Sequence, residues 1–368
     1  MYSTSDTALD TREKNSDRWV SVFTEGDELY DAMLDDIRSA QERIRLESYI
    51  LSDDVVGGQF FSELEKSSVL GCVVGVRADY AGSWGAVPQT RQRSLLTAGV
   101  QWSWSRPWSW RMPWILNRRN HRKLLIIDGR VAYVGGFNIH RESSRRAFGP
   151  SRWRDTHARF TGPLVKDAIQ LFDRFPRRPR VAWPNFPGGI GLLPNNSHRC
   201  RHLLRCAFNA HFRSAQERIW LTTPYFVPDS RSQKALREAA RRGVDVRVLV
   251  PAKSDVTLTT WAARASYSRM LASGIRIWEY GGRVLHAKTV LVDRSWGTIG
   301  TANFDYRSFF LNDELNLMVE ERAFNARLAQ QFEEDLTESA EVTESGWKRR
   351  AWYAVVVETI GWWARRWL

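Results

Sequence analysis

The heptapeptide Arg-Ser-Ala-Gln-Glu-Arg-Ile occurs twice in this 368-residue chain, at Arg38–Ile44 and at Arg213–Ile219, 175 positions apart. Ahead of the first copy Leu29, Met33, Ile37 and Ala40 recur at helical spacing, and the same shift finds Leu204, Phe208, Phe212 and Ala215. Each set describes one buried face of an amphipathic helix. A shared heptapeptide in register with a shared apolar stripe marks a duplication. The likeness continues downstream as IRLESYIL and IWLTTPYF, then VVGVRA and VDVRVLV, then LLTAGVQW and MLASGIRIW. The order helix, strand, helix, strand, taken twice, predicts an α/β fold built from two copies. Between them residues 176–196 carry five prolines and read as a linker. The expected division is a polar extension (1–17), a first half (18–175), the linker (176–196), a second half (197–338) and a basic, Trp-rich tail (339–368).

The repeat carries chemistry. NHRKLLIIDGRVAYVGGFN and LHAKTVLVDRSWGTIGTAN both hold His-x-Lys, four residues, then Asp: His121, Lys123 and Asp128, and His286, Lys288 and Asp293. Six residues later each has Gly-x-x-Asn, ending at Asn138 and Asn303. Alternation in LLIIDG and TVLVDR predicts a strand, on which His and Lys, two apart, share a face. That face pairs a nucleophile or acid with a cation. The glycines are expected to let the Asn side chains and backbone donors approach a ligand.

This doubled motif resembles the signature of the phospholipase D superfamily and, more narrowly, that of bacterial cardiolipin synthases, over roughly residues 18–335. The resemblance implies two tandem α/β/α-layered halves related by a pseudo-two-fold axis, with one active site shared between them. It implies that His121 attacks phosphorus to form a phosphohistidine and that His286 is the acid and base. Lys123, Lys288, Asn138 and Asn303 would hold the non-bridging oxygens. An acidic residue on a following strand, Asp155 or Glu314, would orient each histidine. Asp128 and Asp293 complete the motifs and are expected to anchor strand ends. No metal or other cofactor is expected, because the lysines supply the positive charge.

Composition bears on the substrate. The formal net charge is +13, and the 54 basic residues comprise 46 Arg and 8 Lys, a surplus suited to phosphate groups. Between Gly99 and His121 lie 21 residues, against 11 in the second copy. The longer stretch places Trp104, Trp108, Trp110 and Trp114 among Arg106 and Arg111, with prolines at 107 and 113 that exclude a continuous helix. Such a loop is expected to enter the headgroup region of a membrane beside the site. In the tail, Trp352 and Trp363 fall on one helical stripe with basic residues at both ends, the pattern of an interfacial helix. Tryptophan beside arginine suits an amphiphilic substrate better than nucleic acid, although stacked bases could use the same pairing. The expected partners are an anionic phospholipid, phosphatidylglycerol, and a membrane surface; the alternative is a hydrolase, phosphodiesterase or nuclease of the same superfamily. No apolar run of about 18 residues and no apolar leader occurs, so a peripheral protein on the cytoplasmic face of the bacterial inner membrane is expected. The three cysteines fit no disulfide framework.

Overall fold

Period-2 apolar patterning drives seven segments of the first copy into one sheet. They are β1 (Val20–Phe23), β2 (Arg43–Ser48), β3 (Val73–Asp79), β4 (Gln101–Ser105), β5 (Leu124–Ile127), β6 (Val131–Gly135) and β7 (His157–Thr161), in the order β1-β7-β6-β5-β2-β3-β4. The structure is a computed structural model that describes residues 20–111, 117–176, 189–195, 198–253, 257–350 and Glu358. The second sheet contains β8 (Ile190–Pro194), β9 (Arg218–Thr222), β10 (Asp245–Pro251), β11 (Arg276–Tyr280), β12 (Thr289–Val292), β13 (Trp296–Gly300), β14 (Leu315–Val319) and β15 (Ser339–Glu341). Its order, β15-β11-β10-β9-β12-β13-β14-β8, repeats the first sheet strand for strand and adds β15 at one edge. Registers repeat as well: Ile44 faces Ile127 across β2 and β5, and Ile219 faces Val292 across β9 and β12.

Two expectations about boundaries change. β8 lies inside the stretch read as a linker, where it pairs with β14 as β1 pairs with β7. The prolines and glycines around it read as a loop, yet Pro194 is the last residue of an edge strand, where no further ladder donor is required. The tail also begins inside the fold: Ser339–Glu341 pairs with β11, and the Trp347 indole N–H donates to Ser268 Oγ at 3.0 Å.

Alternation along each strand decides which core it joins. Leu125 and Ile127 enter an outer core of the first half with Leu29, Met33 and Ile37 of the helix Gly26–Arg38. Leu124 and Ile126 enter a central core shared with Trp220, Leu291, Ile299 and Leu317 of the second half. Phe208 and Phe212 build the matching outer core of the second half. Each fully buried aliphatic or aromatic side chain contributes about 1.5–3 kcal/mol, so the central core binds the two sheets face to face. Symmetric bridges then join the halves: Asn120 pairs with Asp313, and Arg154 with Leu285.

Candidate active site

His121 and His286 sit just before β5 and β12, on extended backbone and not on the strands themselves. Cross-half hydrogen bonds hold that backbone. His121 N donates to Asp313 O at 2.9 Å, and His286 N donates to Arg154 O at 2.7 Å. One residue beyond each acceptor is a carboxylate. Glu314 Oε2 lies 3.0 Å from His121 Nδ1, and Asp155 Oδ2 lies 2.5 Å from His286 Nδ1. Each histidine therefore takes its partner from the opposite half. A proton on Nδ1 directed at the carboxylate leaves Nε2 for the cavity. Thr301 Oγ1 donates to Glu314 at 2.5 Å, and Thr156 N donates to Asp155 at 2.7 Å, so both carboxylates are themselves fixed.

His121, His286, Asn138 and Asn303 line one cavity of about 440 Å³. Lys123 and Lys288 are almost wholly buried beside the histidines and do not line that cavity. Lys123 Nζ donates to His121 O at 2.9 Å, and Lys288 Nζ donates to His286 O. Lys288 Nζ also lies 2.8 Å from His286 Nδ1 and 3.9 Å from Asp155. Burial, then the charge of Lys288, lowers the Lys123 pKa to about 7. Burial and the lysines lower both histidine pKa values, against the opposing pull of the carboxylates. Burial works to raise the pKa of Asp155, but Lys288 and His286 outweigh it and hold the carboxyl below its ordinary value.

The motif aspartates stand elsewhere. Asp128 accepts the backbone N–H groups of Gln41, Glu42 and Arg43 at 2.8–2.9 Å, and Asp293 accepts those of Gln216, Glu217 and Arg218 at 2.8–3.2 Å. These N–H groups belong to the repeated heptapeptide. They tie the β5–β6 and β12–β13 turns to the starts of β2 and β9. Both adopt positive φ, 50° and 52°, a conformation that Asp tolerates. The glycines also serve a different end. A Cβ on Gly136 would stand 2.0 Å from Asp155 Oδ1, so the glycine makes room for the carboxylate that holds His286.

Several lining residues were not singled out from sequence: Tyr49, Trp153, Tyr225 and Arg307. Tyr49 contacts His121 edge-on with centroids 4.8 Å apart, and Trp153 lies 5.1 Å from His286. Their positions beside β2 and two residues before Asp155 were the available signals.

Of the expected membrane residues, Trp108 and Trp110 are exposed. Trp104 differs from expectation: it is on edge strand β4, half-buried against Trp102 and Tyr80, because Gln101–Ser105 matches β11 and the insertion starts only after it. Trp114, Trp352 and Trp363 lie outside the described residues. Among the described residues no group of three His, Cys, Asp or Glu side chains could hold a metal ion.

The family model described as "Cardiolipin synthase, PLD-like domain" matches residues 33–148 and 209–336, one segment in each half. Cardiolipin synthase 2 of Bacillus anthracis is 34% identical over 357 residues, covering 92% of this chain and 68% of that protein. The chain belongs to the cardiolipin synthase family of the phospholipase D superfamily. It is a phospholipase D-type phosphatidyltransferase. Cardiolipin synthase 1 of Staphylococcus aureus (strain MRSA252) is 33% identical, covering 90% of this chain and 70% of that protein. Among solved structures, phosphatidylserine synthase of Haemophilus influenzae superposes with a TM-score of 0.72 over 95% of both chains at 14% identity. That likeness concerns the fold alone.

Proposed function

We propose that this enzyme transfers a phosphatidyl group from one phosphatidylglycerol to the hydroxyl of a second, releasing glycerol and forming cardiolipin. The observation that carries the reading is the crossed pair: two histidines in one cavity, each with Nδ1 held by a carboxylate of the other half. In the reading, His121 Nε2 attacks phosphorus as His286 Nε2 gives its proton to the departing glycerol oxygen. The P–O bond breaks as the P–N bond forms. The incoming hydroxyl then gives its proton to His286 while its oxygen displaces His121 Nε2. Two displacements retain configuration at phosphorus.

The electrostatics of the site are compatible with an attacking imidazole. Burial and the two lysines favour neutral imidazoles, and a neutral imidazole is the form that attacks. A bound phosphodiester brings a negative charge, which favours protonation of the second ring. Lys123 and Lys288 offset the charge that develops on the non-bridging oxygens, with Asn138 and Asn303 as further donors.

Membrane attachment is read as peripheral, at the cytoplasmic face of a bacterial membrane. Exposed Trp108 and Trp110 support it, and no described helix is long and apolar enough to cross a bilayer. The test is to incubate the protein with vesicles of labelled phosphatidylglycerol and separate the products. Cardiolipin and glycerol in equal amounts are expected, with an acid-labile phosphate on His121 after quenching. Phosphatidic acid as the sole lipid product would make the enzyme a hydrolase and overturn the reading.

A further inference from the structure

The two halves are not equivalent around the cavity. The offset of 165 residues that relates His121 to His286 also relates Arg119 to Val284, and Glu142 to Arg307. Arg119 and Arg307 both line the cavity; Val284 and Glu142 do not. The Glu142 carboxylate is engaged elsewhere, with His140 at 2.6 Å and Arg141 at 3.3 Å. On the mate side, His286 faces the indole of Trp153 instead. The pseudo-two-fold axis thus relates the two arginines to a valine and to an engaged carboxylate, and only one side of the cavity is cationic.

The cationic wall is built across the halves. Arg119 ends the insertion of the first half, and its backbone O accepts from Asp313 N of the second at 2.8 Å. Arg307 belongs to the short helix Tyr306–Phe310 of the second half, and it donates to Asn117 Oδ1 and Asn117 O at 2.8 and 2.9 Å. Arg119 Nη1 is buried and has no hydrogen-bond partner among the described residues. Both guanidiniums stand close enough to Tyr49 to oppose the rise that burial imposes on its hydroxyl pKa. Asp305 is the carboxylate on this wall, and it accepts the Ser308 N–H at 2.7 Å as a helix cap. The side chains that line the cavity here thus comprise two guanidiniums and one capped carboxylate; Asp79 and Glu314, buried and also felt by Tyr49, do not line it.

In the transfer reading the phosphate under attack is already served by Lys123 and Lys288, whose Nζ atoms donate to the backbone of His121 and His286. A second pair of cations on one side only is matched to a second anion, and guanidinium forks are suited to phosphate oxygens. We propose that Arg119 and Arg307 bind the phosphodiester of the acceptor, so that the enzyme selects a phosphate-bearing alcohol over a neutral alcohol or water. This rests on the phosphatidyl-transfer reading above and names the residues that recognise its second substrate. The acceptor oxygen still attacks phosphorus and releases the histidine; the arginines hold the acceptor's own phosphate and exchange no proton.

The test uses the full chain, a short-chain phosphatidylglycerol donor and two labelled soluble acceptors, glycerophosphoglycerol and glycerol, which differ by the phosphodiester-linked group. A parallel arm presents phosphatidylglycerol in vesicles, to separate recognition of the headgroup from recognition of the lipid surface. Wild type is expected to favour glycerophosphoglycerol in kcat/KM. Arg119→Gln and Arg307→Gln are each expected to reduce that preference by about 10-fold or more, with Lys replacements recovering part of it. The preference is a ratio within one preparation, so loss of folded protein cancels. An unchanged ratio in both Gln variants, or no preference in wild type, overturns the proposal. Failure of wild type to label either acceptor overturns the transfer reading instead.

Discussion

His286 of the second half has its Nδ1 atom 2.5 Å from the Asp155 carboxylate of the first half. The site therefore exists only when the two sheets are docked, and the orientation of each ring depends on the other half. Asp155→Asn keeps the shape and removes the charge that favours protonated His286. Transfer is expected to fall by about 100-fold or more, the scale of a misoriented or wrongly protonated acid/base group. Glu314→Gln should act on the His121 step. Rapid-quench single turnovers separate the two: Glu314→Gln slows formation of the phosphoenzyme, and Asp155→Asn slows both steps. A loss of only a few-fold in both variants would leave the carboxylates without this role.

Oxyanion binding should take up protons. Lys123 has a pKa of about 7, pushed down by burial first and then by Lys288. At pH 8 it is therefore largely neutral, and a bound tungstate or vanadate restores its charge. The affinity for such an anion is expected to weaken as pH rises through 7 toward 9. Calorimetry at pH 8 in buffers of different ionisation enthalpy should show proton uptake on binding. The same shift bears on folding: Lys123 is less protonated folded than unfolded between about pH 7 and its ordinary value near 10.4, so its contribution to stability rises with pH across that window. Proton release on anion binding would contradict the assignment.

Activity is expected to persist in excess chelator. The charge that would fall to a metal elsewhere is supplied by Lys123 and Lys288 in this reading. The measurement is transfer after exhaustive chelation, with and without added divalent ions. Complete loss restored by one ion would remove the lysine-based account.

The duplication made the paired halves legible, because identical local patterns must solve the same packing problem twice. The crossed carboxylates were half legible. Asp155 and Glu314 stood at matching places, but sequence spacing carries no information about which half they reach across to. Arg119 and Arg307 were not readable as a pair, since one ends an insertion and the other follows the second Gly-x-x-Asn; the docking of the halves brings both to one cavity. The edge strand β8 was hidden by proline and glycine, which usually signal a loop.

Asp128 and Asp293 are expected to affect stability before chemistry. Each carboxylate caps a row of backbone N–H groups from the heptapeptide turn. Burial acts to raise the Asp128 pKa, yet the bonds from Arg43, Gln41 and Glu42 lower it overall. A carboxylate with a depressed folded pKa contributes stability above its unfolded value, near 3.9, and loses it as pH falls through the folded value. Asp128→Asn should cost about 1–3 kcal/mol, from weakened charge-assisted bonds. Asp128→Ala should cost more, because Asn tolerates the positive φ and Ala does not. Chemical denaturation at neutral pH tests the order, and equal costs for the two variants would contradict it.

The last expectation concerns the membrane. Trp108 and Trp110 stand exposed on the insertion whose far end supplies Arg119 to the active-site cavity and Asn117 to Arg307 beside it. An apolar anchor on that insertion would bring a lipid headgroup to the cavity without moving the catalytic core. Replacing both tryptophans with Ala should therefore reduce turnover on vesicles more than turnover of a short-chain soluble donor. The tail should be cut after Arg350, because Trp347 packs against Tyr267 with centroids 5.0 Å apart and belongs to the fold. Removing residues 351–368 takes away Arg365 and Arg366. Each basic side chain near an anionic surface is worth about 1 kcal/mol, an attraction that salt screens. The truncated protein should therefore lose binding to anionic vesicles chiefly at low salt. Co-sedimentation with anionic and neutral vesicles, run beside both activity assays, makes the comparison. If wild type binds both kinds of vesicle equally, or if truncation abolishes turnover of the soluble donor, the tail is not a membrane anchor but part of the packed enzyme.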